Sequence, residues 1–179
     1  MVSKLILEDL RVEGYFISND TAKSRFKELV NYPNALGYDD ISGGYLVLHK
    51  GHQPGGIADE IKACLILKKC GYSVELLNES AGTGIEPDVK VNGKIYDIKR
   101  LHKALKPRTR ITRLFEKTSL MGIDKIILHI DQDLKQSEIV SFLAEAMARR
   151  TKINEVLVIF KEDVYELTKL IVFKRNWIR

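Results

Sequence analysis

Asn92-Gly93 separates two short segments of alternating polarity, Val89-Lys90-Val91 and Lys94-Ile95-Tyr96. A tight type I′ turn needs positive φ at both central positions, which Asn and Gly tolerate best, so the dipeptide predicts a two-residue hairpin. That turn fixes the register. Asp88 falls directly opposite Asp97, and Glu86, Asp88 and Lys90 share a face with Ile95, Asp97 and Lys99. Val89, Val91, Tyr96 and Ile98 occupy the other, plainly apolar, face. Like charges directly opposite each other, with Cβ atoms ~4.5–5.5 Å apart, destabilise a sheet. Two readings stay open at this point. Either Lys90 and Lys99 offset the acids on a solvated face, or the two aspartates share a divalent cation, for which oxygen donors suit Mg²⁺ or Mn²⁺. In the second reading, the Lys99 ammonium orients or helps deprotonate an attacking water and stabilises charge growing on a phosphate.

The rest of the chain supplies a frame for that hairpin. Tyr45 to His49 reads as a strand, residues 57 to 70 as an amphipathic helix stopped by Gly71, and Ser73 to Leu77 as a strand. Beyond the hairpin come a helix over 109 to 120, a strand over 124 to 130, a helix over 137 to 150 capped by Ser137, a strand over 154 to 160, and a last helix or strand ending at Trp177. Strands alternating with helices argue for an α/β sheet with helices packed on it. Ahead of Gly43 the pattern is irregular, with one short helix over Thr21 to Val30 capped by Asn19 or Asp20. This leaves residues 1–42 as an N-terminal extension or accessory layer and residues 43–179 as the main domain.

No apolar run approaches the ~18–20 residues of a membrane-spanning helix, and no charged, then apolar, opening predicts a signal peptide. Cys64 and Cys70, six apart in the predicted helix, fit neither a zinc knuckle nor a redox C-x-x-C, and read as buried thiols. The net charge of +5 is unevenly spread: Arg100, Lys103, Lys106, Arg108, Arg110 and Arg113, with His102, follow Lys99 without one acid. Such a window reads as a phosphate-binding segment or as a solvated, solubilising loop. Lys174, Arg175 and Arg179 extend the positive charge at the C-terminal end. His49 and His52, flanking Lys50-Gly51, have the chemistry for general acid–base work but also read as ordinary loop histidines. Tyr38, Tyr45 and Trp177 read as base-stacking aromatics or as core.

Pro87-Asp88, eight residues, then Asp97-Ile98-Lys99 resembles the signature of the PD-(D/E)XK nucleases, whose fold is a mixed sheet flanked by helices. That family places an acidic residue on a preceding helix, and Glu60 occupies such a position here. From about Gly43 to Phe160 the chain is similar to the C-terminal nuclease toxin domains of contact-dependent growth inhibition proteins and related polymorphic and phage-borne toxins. The similarity rests on a Gly-Gly-Tyr strand opening, on Glu60 to Leu77, and on Pro87 to Lys99. The resemblance implies a restriction-endonuclease-like α/β fold and metal-dependent cleavage of nucleic acid, RNA (tRNA) more than DNA. By the same resemblance Asp88, Asp97, the Ile98 carbonyl and Glu60 hold Mg²⁺ or Mn²⁺, with Zn²⁺ as a third choice, and Lys99 is the catalytic cation. A cognate immunity protein and a bacterial cytoplasmic site of action are implied too, and self-association is compatible with them. The chain departs from the family at Met121-Gly122, where Lys-Gln is usual, so either that polar contribution comes from elsewhere, Arg110 or Lys117, or the activity differs from the family's. Other classes remain: a binding module of this fold without catalysis, a DNA endonuclease, a metal-independent RNase centred on His49 or His52, and a structural or phage-particle role.

Overall fold

A computed structural model describes residues 7–11, 13–80, 82, 86–149 and 151–174. Arg175, Trp177 and Arg179, and most of the loop at 81–84, lie outside the described residues. The chain divides into two compact units, Met1–Ile95 and Tyr96–Arg179. Each is an α/β arrangement with a mixed sheet.

In the first unit the elements are β1 (Tyr15–Phe16), α1 (Asn19–Ala22), a 3₁₀ turn (Lys27–Asn31), β2 (Gly37–Tyr38), β3 (Tyr45–His49), α2 (Ile57–Lys69), β4 (Ser73–Leu76) and β5 (Val89–Val91). The apolar run of β3 is buried along nearly its whole length, as expected of a strand flanked on both sides. β1 and β2 pair antiparallel with the two ends of β3, β4 lies parallel to it, and β5 is antiparallel to β4. A parallel pair needs a crossover, and α2 provides it, burying Ile57, Ile61, Cys64 and Leu67. Gly71, at φ +86°, ends that helix as the sequence predicts: its N–H reaches the Lys68 carbonyl at 2.9 Å, and the Tyr72 N–H reaches Leu67 at 3.1 Å.

The helix expected over Thr21 to Val30 is instead the single turn α1 followed by the separate 3₁₀ turn. Asn19 is not its cap; Ser18 holds that position, and the buried Asn19 side chain donates to the Tyr32 carbonyl and accepts from the Leu36 N–H. Tying residues 32 and 36 back to the start of the segment leaves no room for one continuous helix. The expectation of two buried thiols holds for Cys64 only, because Cys70 is exposed at the end of α2.

The hairpin turn forms at Asn92-Gly93 with φ +48° and +81°, leading into β6 (Lys94–His102). The second unit continues with α3 (Pro107–Leu120), β7 (Lys125–Asp131), α4 (Gln136–Ala148), β8 (Glu155–Phe160), β9 (Asp163–Thr168) and α5 (Lys169–Lys174). β6, β7 and β8 are parallel neighbours, and β9 is antiparallel on β8. Leu101, Ile126, Leu128, Ile130, Val156, Val158 and Phe160 form one sheet face, packed with Ile111, Leu114 and Phe115 of α3 and Ile139 and Leu143 of α4. The last segment is both a strand and a helix, turned through Lys161 and Glu162 at φ +52° and +68°. No Gly or Asn marks that turn, so the sequence pattern does not show it.

Ser137 lies one residue inside α4; Lys135 is the cap residue, and its N–H donates to Glu138 Oε2 at 2.9 Å. Ser137→Ala is therefore expected to leave thermal stability unchanged, whereas Glu138→Ala lowers it by about 0.5–1 kcal/mol. Chemical denaturation of the two variants checks this; equal losses would return the cap to Ser137.

Candidate functional site

Asp97 and Lys99 lie on the helix-covered face of the second unit's sheet. Their parallel partners Ile126 and Leu128, and the next residue of that row, Leu101, all belong to the core under α3 and α4. α3 runs back over β6, so its C-terminal turn returns to the level of Asp97 and brings Thr118 onto it. The Asp97 side chain is 1% exposed; Lys99 Nζ donates to Oδ1 at 2.5 Å and the Thr118 hydroxyl donates to Oδ2. A buried carboxylate with no donors carries a large desolvation cost, and here both oxygens have one. Each still has a second lone pair, so a hard cation fits the donor set. Thr118 is buried and absent from the sequence-based site. Nothing local marks it: it is twenty-one positions from Asp97, and only the reversal of chain direction between β6 and α3 joins them.

Arg100 and His102 alternate with Lys99 and face the other side of the sheet. Arg100 pairs with Asp131, whose carboxyl is held below the usual carboxylate range first by the Arg100 hydrogen bond and then by the charges of Arg100, His129 and His102. Lys103, Lys106, Arg108, Arg110 and Arg113 are exposed, the first two in the turn before α3 and the others on its outer side. Arg108 and Arg149 both engage Glu145 of α4, and with Arg113 and Glu116 they line a groove of about 450 Å³. Among the described residues, Lys103, Lys106, Arg110 and Arg113 form no ion pair. The basic window is thus divided: Arg100 and Arg108 are engaged, and the other four project freely. Among the described residues no hydrogen bond joins Arg110 or Lys117 to Asp97, whereas Thr118 donates to it.

In the first unit, Lys90 faces Glu75 across the β4–β5 pair, at 2.8 Å. Tyr45 is core, its hydroxyl donating to Glu75. Glu60 sits in the first turn of α2, where a carboxylate is favoured by the helix dipole. Burial first, then the charges of Glu60 and Asp88, push the Cys64 thiol well above its ordinary value.

Glu60 also meets a histidine. His52 is fully buried, with Nε2 2.8 Å from Glu60 Oε2, Nδ1 2.8 Å from the Leu77 carbonyl and 3.3 Å from Glu79 Oε1. Burial alone would lower the imidazole pKa; the Glu60 hydrogen bond, then the charges of Glu60 and Glu79, raise it overall. Burial raises the Glu79 carboxyl in turn. Gly51 permits the arrangement, since a Cβ there would lie 2.0 Å from Asn78 Oδ1, and only that close approach carries the loop after β3 onto the loop after β4. Glu79 is a residue that sequence reasoning misses: it stands in a loop with no period to mark it.

Residues 85–165 match the family model of the contact-dependent growth inhibition CdiA C-terminal domain. That stretch holds Asp88, Asp97, Lys99, Thr118 and the basic window, and ends before reaching back to His52, Glu60 or Glu79. No curated protein and no solved structure matches the chain. No helix among the described residues is long and apolar enough to cross a membrane.

Proposed function

We propose that the chain is a toxin-type, metal-dependent nuclease that hydrolyses phosphodiester bonds, with RNA, and tRNA in particular, as the favoured substrate. The observation that carries this reading is the buried Asp97 carboxylate held by Lys99 at 2.5 Å and by Thr118. The match of residues 85–165 to a growth-inhibition domain supports it.

Asp97, the Ile98 carbonyl, Asp88 and Glu60 are the oxygen donors that would hold Mg²⁺ or Mn²⁺, with Zn²⁺ the third choice. The ion would supply charge neutralisation at the scissile phosphate and a more acidic water. The chain's own part is to hold the Asp97 carboxylate in place, through Thr118 and Lys99, and to offer the Lys99 ammonium to charge developing on phosphate oxygens. Lys103, Lys106, Arg110 and Arg113 bind the backbone as a positive surface, without reading bases. A growth-inhibition toxin also implies an immunity protein that neutralises it, and the cytoplasm of a bacterial cell as its site of action.

The test is incubation of the protein with total RNA and with plasmid DNA, with Mg²⁺, Mn²⁺ or Zn²⁺ and with EDTA. Metal-dependent loss of RNA is expected, and EDTA-resistant cleavage would move the chemistry to a histidine. One observation favours a second reading, a binding module without cleavage: both Asp97 oxygens already have protein donors. That reading expects salt-dependent binding and no products with any metal. Either way, Arg110→Ala with Arg113→Ala is expected to weaken RNA binding. The slope of log affinity on log salt should become shallower by about 1.4–1.8, as read by fluorescence anisotropy across a salt series.

A further inference from the structure

The first unit contains a second group of ligating side chains that the nuclease reading uses only in part. His52, Glu60 and Glu79 each place one donor atom so that all three lie within 4.8 Å of one another. We propose that these three side chains form a site for a first-row transition dication of the Zn²⁺ class, distinct from the Mg²⁺ or Mn²⁺ set built around Asp97.

Three features of the cluster point to a metal rather than to an ordinary buried histidine. The first is the tautomer. Nδ1 faces the Leu77 carbonyl at 2.8 Å, with Glu79 Oε1 at 3.3 Å on the same side, so it carries the hydrogen there and leaves Nε2, 2.8 Å from Glu60, as the ligating nitrogen; Glu79 joins an ion at Nε2 by turning a carboxylate oxygen away from Nδ1. A backbone carbonyl fixing one ring nitrogen so that the other can bind is the usual outer support of a metal-bound histidine.

The second is charge. The imidazole is fully buried and its two carboxylate neighbours are 14% and 13% exposed. Among the described residues no lysine or arginine pairs with either carboxylate; Arg25 donates to the His52 backbone carbonyl at 3.2 Å. Glu86 adds a further negative charge felt by Glu79. Two carboxylates and one imidazole in a nearly dry site leave a negative excess that a dication removes.

The third is positioning. Glu79 Oε2 accepts the Gln53 N–H at 3.2 Å, which orients that carboxylate toward the histidine. Glu60 projects from the first turn of α2, and Gly51 holds the two loops together. One imidazole nitrogen with two carboxylates suits Zn²⁺, Co²⁺ or Mn²⁺ and disfavours Mg²⁺, which takes oxygen ligands and keeps its waters.

The site shares Glu60 with the proposed nuclease set but does not rest on it, and the Asp97→Asn background separates the two. In metal-stripped Asp97→Asn protein, titration with Zn²⁺ is expected to show one bound ion. Zinc-edge X-ray absorption should then report an imidazole nitrogen in its shell, a ligand the Asp88, Asp97 and Ile98 set lacks. Adding His52→Gln or Glu79→Gln to that background should weaken Zn²⁺ binding by at least ~100-fold, with circular dichroism confirming the fold. The Glu79 variant keeps the test alive if the buried histidine cannot be replaced. No Zn²⁺ bound to Asp97→Asn, an all-oxygen shell, or unchanged affinity in the folded Glu79→Gln variant would overturn the site. Absence of cleavage by the wild type would overturn the nuclease reading alone.

Discussion

Asp97→Asn is expected to reduce cleavage of RNA on the order of 10²–10³-fold or more, while the protein stays folded. The amide keeps an oxygen for the Thr118 hydroxyl and removes the charge that faces Lys99. Asparagine is the informative replacement because the site is nearly dry. Removing Lys99 instead, as in Lys99→Met, strands a carboxylate of 1% exposure and is expected to lower stability by about 3–5 kcal/mol. Thr118→Val is milder: one carboxylate oxygen loses its donor, at about 1–3 kcal/mol, and cleavage falls with the loosened aspartate. Gel assays of RNA cleavage alongside thermal unfolding separate these outcomes. A folded Asp97→Asn protein that cleaves at the wild-type rate would remove Asp97, and with it the proposed metal set, from the chemistry.

The largest stability effect expected from one methylene-sized change is at Gly44. A Cβ there would lie 2.1 Å from the Lys68 carbonyl oxygen, 2.9 Å from its carbon and 3.0 Å from the Tyr72 carbonyl oxygen. All three are backbone atoms, and none is free to move. The Lys68 carbonyl accepts from Ser42 Oγ at 2.8 Å and from the Gly71 N–H at 2.9 Å, closing the end of α2. The Tyr72 carbonyl accepts from the Tyr45 N–H at 3.1 Å, where β3 begins. Gly44→Ala must therefore part the helix end from the central strand, at a cost of about 3 kcal/mol or more. For a chain of this length that is a fall of roughly 6–12 °C in Tm. Its neighbour provides the control. Gly43 has φ +73° and no atom within 4 Å of its Cβ position, so Gly43→Ala meets only left-handed backbone strain, about 1–2 kcal/mol. Equal Tm losses in the two variants would show that the close approach at Gly44 does not hold in solution.

Legibility from the sequence followed the range of the interaction. The Asn92-Gly93 turn, the Gly71 stop and the strand at Tyr45 are each set by neighbours a few residues away, and each forms where the pattern places it. Where a side chain is engaged at a distance, the local pattern misleads. Asn19 looks like a cap but bonds Tyr32 and Leu36, and Ser137 looks like a cap but yields that position to Lys135. The basic window is a run of like charges in sequence, yet strand alternation and the pairs to Asp131 and Glu145 leave only part of it projecting.

The same division holds for the candidate sites. The sequence by itself determined that Asp97 and Lys99 share a strand face, since side chains two apart on a strand must. It also determined that Glu60 stands in the first turn of a helix and that positive charge follows Lys99. Only the tertiary structure decided that Thr118 binds Asp97, because that contact depends on α3 running back over β6. It alone placed His52 between Glu60 and Glu79, because the two loops meet only where Gly51 lacks a side chain. Periodicity is a property of one element; which elements touch is settled by burial of their apolar faces, and the polar contacts of both sites follow from that packing.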